Sequence, residues 1–192
     1  MKALLTGFAL LLVASTASAA EGVVGGGWYM GLGGGPSGIH GVCDAAAAVG
    51  GDQCDDEGVA WKVFLGRDMS KYWGVELSYA DAGEATVASS ASALEVLEIH
   101  PTVFGAFGKF QIPISKRFGI FAKAGVTYYE TEITTNGLAV TKEDGFSTAV
   151  GAGVTFLLGR NFGIRAEWEN YNDISVYEND VDLTTLSATI SW

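Results

Sequence analysis

Three stretches of the chain are near-copies of one another: residues 70–81 (SKYWGVELSYAD), 115–130 (SKRFGIFAKAGVTYYE) and 159–173 (GRNFGIRAEWENYND). Their marker glycines, Gly74, Gly119 and Gly163, fall 45 and 44 residues apart. Each copy opens on a polar, basic turn. An aromatic residue, a glycine and a β-branched residue follow, and then side chains alternate. A repeat of this length holds two strands, one tight turn and one long loop, so it describes a barrel built from repeated hairpins.

The alternation places eight strands, at 27–35, 59–67, 72–82, 98–112, 118–130, 145–159, 162–172 and 181–192. Short connections (68–71, 113–117, 160–161) alternate with long ones (36–58, 83–97, 131–144, 173–180). Short turns at one end and long loops at the other are the pattern of a membrane-spanning barrel. The fold class expected is therefore all-β, an eight-stranded antiparallel up-and-down transmembrane β-barrel. In the third strand Trp73, Val75, Leu77 and Tyr79 share one face, opposite Gly74, Glu76 and Ser78. In the seventh, Phe162, Ile164, Ala166 and Trp168 oppose Gly163, Arg165, Glu167 and Glu169. A period of two sends one set to each side of the wall. A soluble barrel would turn the apolar set inward, but a lone charge in an apolar cavity is costly, so the charged set is read as lumenal and the apolar set as lipid-facing. The fourth strand is ambiguous, because Phe104 and Phe107 fall on opposite faces.

Composition sets the remaining bounds. Lys2, an apolar stretch from Leu4 to Val13 and the small residues Ala17-Ser18-Ala19 read as a secretory signal peptide over 1–19, leaving the barrel domain as 20–192. The formal net charge of −11 argues against nucleic acid as a partner. The two cysteines, Cys43 and Cys54, are expected to form one disulfide, as is usual in an exported chain, and to staple the first long loop. A metal site lacks ligands at suitable spacing. The acidic loop residues Asp44, Asp52, Asp55, Asp56, Glu57, Glu143 and Asp144 do not follow the spacing of a calcium loop. Gly33, Gly35 and Gly38 match a dinucleotide pattern literally, but Pro36 interrupts it and no helix follows. A hydrolase would need a histidine beside a nucleophile; His40 and His100, the two histidines, have no such neighbour. No catalytic residue, cofactor or metal is expected.

Two groups of side chains stand out. Lys62, Glu76, Lys123, Arg165 and Glu167 all point inward in this register and are expected to pair, since an eight-stranded barrel is only wide enough to be filled by side chains. Aromatic residues gather at strand ends: Trp28, Trp61, Trp73, Phe118, Phe162 and Trp192 are assigned to the short-turn side, and Tyr79, Tyr128, Tyr129, Trp168 and Tyr171 to the loop side. Two such bands would be interfacial girdles.

These residues resemble the OmpA-like transmembrane domain family over nearly the whole mature chain. The resemblance opens with Gly27-Trp28-Tyr29-Met30-Gly31. It continues through Ala60-Trp61-Lys62 and Gly66, then Tyr72-Trp73-Gly74-Val75-Glu76 and Tyr79-Ala80-Asp81, and ends on Trp192. It implies a location in the outer membrane of a Gram-negative bacterium. It implies a role for Trp192 as the terminal aromatic read by the outer-membrane assembly machinery. It also implies a lumenal salt-bridge cluster in which Glu76 pairs with Lys or Arg. The implied partners are outer-membrane lipid and lipopolysaccharide, the assembly machinery and periplasmic chaperones, with the chain itself a monomer. The resemblance covers the barrel and not a periplasmic peptidoglycan-binding domain, so the likeness expected is to small stand-alone barrels described as surface antigens or porin-like proteins. The function expected is non-enzymatic: envelope structure and integrity, with loops facing outside. The alternatives are a narrow ion or small-solute channel gated by the lumenal salt bridges, and surface recognition by the loops in the manner of an adhesin.

Overall fold

A computed structural model describes residues 27–40, 43, 53–55, 57–83, 85–89, 95–135, 138–172, 174 and 180–192. The strands are β1 (Trp28–Ile39), β2 (Gln53–Asp55), β3 (Glu57–Asp68), β4 (Trp73–Asp81), β5 (Ala85–Ser89), β6 (Glu95–Pro113), β7 (Phe118–Thr135), β8 (Leu138–Leu157), β9 (Phe162–Tyr171) and β10 (Val181–Ser191). The signal peptide assigned to 1–19 lies outside the described residues.

Eight of these strands, all but β2 and β5, pair antiparallel with their neighbours in the order β1-β3-β4-β6-β7-β8-β9-β10. β10 returns to β1, Tyr29 opposite Ser191 and Ile39 opposite Val181, and closes the ring. Closure removes every free edge within the wall, which a sheet in lipid requires. Following paired residues once round gives Tyr29, Gly66, Glu76, Phe107, Gly125, Ala149, Tyr171, Val181 and then Ile39, ten residues beyond the start. A shear of ten on eight strands tilts them by roughly 40° from the barrel axis, from the strand rise and spacing.

Burial follows the period of two. Along β4 the pattern alternates between exposed and buried from Trp73 to Ala80, and β9 repeats it. Trp73, Val75, Leu77 and Tyr79 are 59%, 45%, 48% and 36% exposed, while Glu76 is 1% exposed. Large apolar side chains thus cover the outer wall and charges fill the inside, the arrangement of a barrel whose solvent is lipid. The ambiguity of the fourth strand resolves: Phe104 is exposed on the outer wall and Phe107 is buried in the lumen. On β7 the apolar face from Phe118 to Tyr128 covers ~33 Å of strand, hence about 25 Å along the axis at this tilt, the height of an outer-membrane hydrophobic band.

The long connections differ from expectation. The segment 131–144 is not a loop: β7 runs to Thr135 and β8 restarts at Leu138, paired Thr135 to Leu138, with a register shift between Ile133 and Thr134. The segment 83–97 holds β5, which pairs with β6, and 36–58 holds β2, which pairs with β5. Thr, Val and Ile in 131–144 and in β5 favour strands wherever a neighbour offers a ladder. β8 is 20 residues long, whereas crossing the bilayer takes about 9–11, so a sheet of β2, β5, β6, β7 and β8 extends past the wall on the loop side. Gly83, with φ +78°, makes the turn out of β4; its N–H donates to the Asp81 carboxylate at 3.0 Å, and that backbone region suits glycine.

Candidate functional site

The inward faces of β3, β4, β7 and β9 deliver their charges to one level of the lumen. Arg165 grips Glu76 with both terminal nitrogens, at 2.6 and 3.2 Å, and donates to Glu167 at 2.6 Å. Lys123 reaches Glu76, Glu167 and Glu169 at 2.9, 2.8 and 2.6 Å. Lys62 bridges Glu167 and Glu169 at 2.5 Å each. Three cations thus face three carboxylates, and the cluster is neutral. Tyr29 donates to Glu76 at 2.9 Å and Tyr171 to Glu169 at 3.1 Å. All five residues expected in the lumen are brought together here. Glu169 and the two tyrosines complete the cluster. Glu169 was already visible on the charged face of its strand, and alternation from Arg165 onward puts Tyr171 on that face too.

Aromatic rings hold the cations from the sides. The Arg165 guanidinium lies between Phe64 and Phe121, 4.5 and 4.0 Å from their centroids. Lys123 sits 4.2 Å over Phe107. A Cβ on Gly31 would stand 2.3 Å from the Phe64 ring, so glycine there makes room for the ring that flanks Arg165. Towards the short turns a second pair follows: Lys109 meets Asp68 at 2.9 Å and lies 4.0 Å over Tyr29.

Above the charges, towards the loops, the lumen turns apolar. Ile39, Ala60, Ala80, Ala82, Val103, Phe107, Ala149, Tyr171, Ile174, Val181 and Leu183 form one buried cluster. Ile174 lies beyond the end of β9 yet is 1% exposed, and its carbonyl accepts from the Thr131 hydroxyl at 3.3 Å. It packs into the apolar cluster at the loop end of the barrel.

The aromatic bands need two corrections. Trp61 belongs to the loop side: it lies opposite Asp81 at the end of β4 and packs on Tyr79, centroids 5.4 Å apart. β3 descends from the loops, so its early residues are the high ones. Tyr171 faces inward and Tyr129 packs partly buried against the apolar cluster, so neither joins a band. Trp28, Trp73, Tyr79, Tyr128 and Trp168 stand outward and exposed. Trp192 pairs with Trp28 through both backbone groups, at 3.0 and 2.9 Å. Cys43 is not a free thiol; the side chain of Cys54, with Asp44, Asp52 and Asp56, lies outside the described residues. His40 and His100 bond to Asp182 and Asp81 at 2.7 and 3.3 Å, far from the lumenal charges in the ladder.

A closed barrel with an apolar outer wall and a paired, charged interior is the architecture of outer-membrane barrels. The family model for the outer membrane protein beta-barrel domain matches residues 6–192, and the chain belongs to that family and to the outer membrane of a Gram-negative bacterium. Among solved structures, it is similar to the attachment invasion locus protein Ail of Yersinia pestis (18% identity, 87% of this chain and 99% of that one, TM-score 0.59). It is also similar to Neisserial surface protein A (8%, 86% and 97%, 0.62) and to the N-terminal barrel of Pseudomonas aeruginosa OprF (8%, 87% and 98%, 0.57). At these identities the likeness is one of fold. No individually curated protein matches the chain by sequence.

Proposed function

We propose that this barrel is a closed, non-enzymatic scaffold of the outer membrane, contributing to envelope structure and integrity rather than to conduction. The observation that carries the reading is the filling of the lumen at two levels: a neutral ion-pair layer, and an apolar cap in which Ile174 is buried. An apolar constriction excludes water and so opposes ion flow even if pairs exchange below it. The test is single-channel recording of the mature chain refolded into a planar bilayer. The scaffold reading expects insertion without discrete steps. Steps that change with Glu76→Ala or Arg165→Ala would replace it with the gated pore.

Surface recognition is a second reading, favoured by the sheet that β6, β7 and β8 carry past the wall. Ail, similar in fold, is named for attachment and has been solved with the heparin analogue sucrose octasulfate. The loop side here is acidic, with Lys142 its one basic residue, so a cationic partner suits it better than a polyanion. Binding of basic peptides to intact cells, lost when the sheet is shaved by protease, would support this reading.

A further inference from the structure

We infer that the outer wall carries a binding site for an anionic phospholipid of the periplasmic leaflet. The site combines an apolar groove over β7 with basic residues in the turns beneath it. On β7 and β8 the outward residues Ala122 and Ala152 are small, and they lie in one register row between Phe110 and Trp168. The row below holds Ile112, Ile120 and Val154. The small pair leaves a depression of about 460 Å³ lined by Phe110, Ile112, Ile120 and Val154, with Phe121 and Gly153 as part of its floor. Its lining is apolar throughout, and it faces the bilayer.

The turns below supply the charge. The Leu157 N–H donates to the Arg117 carbonyl at 2.8 Å, so the turn after β6 abuts the turn after β8. Lys116, Arg117 and Arg160 therefore lie along one arc, all three exposed. Among the described residues no acidic side chain pairs with any of them, and Asp68, the acid nearest this end, is held by Lys109. From Ala122 to Arg117 the chain covers ~17 Å, about 13 Å along the axis at the barrel's tilt, half the height of the hydrophobic band. An acyl chain lying in the groove thus brings a phosphate to the level of the guanidinium groups, where bidentate bonds form. The inference rests on the short turns being periplasmic, as in other barrels of this architecture. The loop side, with its single basic residue, offers no comparable phosphate site, which separates this lipid from the phosphorylated glycolipid of the outer leaflet.

The test uses the full mature chain in phosphatidylcholine vesicles, with spin-labelled phosphatidylglycerol or spin-labelled phosphatidylcholine as probe. The wild type is expected to restrict phosphatidylglycerol preferentially. Arg117→Gln and Arg160→Gln should each lower that preference about fivefold, the equivalent of about 1 kcal/mol per basic residue near an anionic surface. Arg67→Gln, on the far side of the ring, should leave it unchanged. Ala152→Phe, or the milder Ala122→Leu, should fill the groove and release the restricted chains, with heat-modified gel mobility reporting that the barrel is still folded. The inference is overturned by equal restriction of both lipids. It is also overturned by a preference that Arg67→Gln lowers as much as Arg117→Gln does, or that a filled groove leaves intact. Cross-linked dimers through the groove, insensitive to phosphatidylglycerol, would assign it to a second copy of the chain and overturn the inference as well.

Discussion

Arg165 touches two carboxylates and two aromatic rings, and it is 2% exposed. Removing it leaves Glu76 and Glu167 buried with one cation fewer. Breaking a buried pair in this way costs about 3–5 kcal/mol, so Arg165→Ala should shift denaturant unfolding in lipid vesicles by that order. Lys142→Ala, whose side chain stands 60% exposed beside Glu130 and Glu132, should leave the midpoint unchanged. Equal effects would contradict the pairing. Arg165→Lys should fall between, since an ammonium keeps the charge but loses the bidentate grip and the flat face between Phe64 and Phe121. This cluster was largely legible in the sequence, because a period of two assigns each charge to a side of the wall without further information. Its exact partners were not. Which carboxylate meets which cation depends on the shear, and the shear is a property of eight strands together.

At the scale of strands, the repeat has four copies rather than three. Trp28, Trp73, Phe118 and Phe162 each open a strand, and Trp28 extends the repeat by a fourth copy. The Asn136-Gly137 dipeptide between β7 and β8 is the strongest short-range hairpin signal the sequence holds, and it marks 131–144 as a hairpin rather than a loop. The projecting strands were hidden because threonine-rich segments read as polar connections until a partner strand is known. Trp192 bonds both ways with Trp28 where β10 meets β1. Deleting it should lower the amount of barrel recovered in outer-membrane fractions; undiminished levels would remove its role in assembly. If Cys43 and Cys54 are joined, a maleimide should label the purified protein only after reduction and unfolding. Labelling of the untreated protein would refute the bond.

Across the whole molecule the basic residues sort by position. Lys62, Lys109, Lys123 and Arg165 are buried in the lumen; Arg67, Lys71, Lys116, Arg117 and Arg160 lie exposed towards the short turns; Lys142 stands alone on the loop side. An amine label that cannot cross the outer membrane should therefore modify Lys142 on intact cells, and Lys71 or Lys116 only once the membrane is permeabilised. The reverse pattern would invert the barrel. The lumenal lysines should resist in both states. The alternation in the sequence assigns Lys62, Lys123 and Arg165 to the lumen, but not Lys109, because the two faces of its strand are ambiguous until the ladder is known.

Seven of the eight contacts in the wall join strands consecutive around the barrel and close in sequence, so hairpins can form one after another with short loop closures. The eighth, β1 against β10, joins the two ends of the described chain. Its closure entropy is the largest in the molecule, and non-local contacts of this kind slow folding. The seam should therefore be the last ladder to zip. Until it does, the nascent sheet presents two unsatisfied edges to lipid, and the time spent in that open state sets the rate at which the barrel matures.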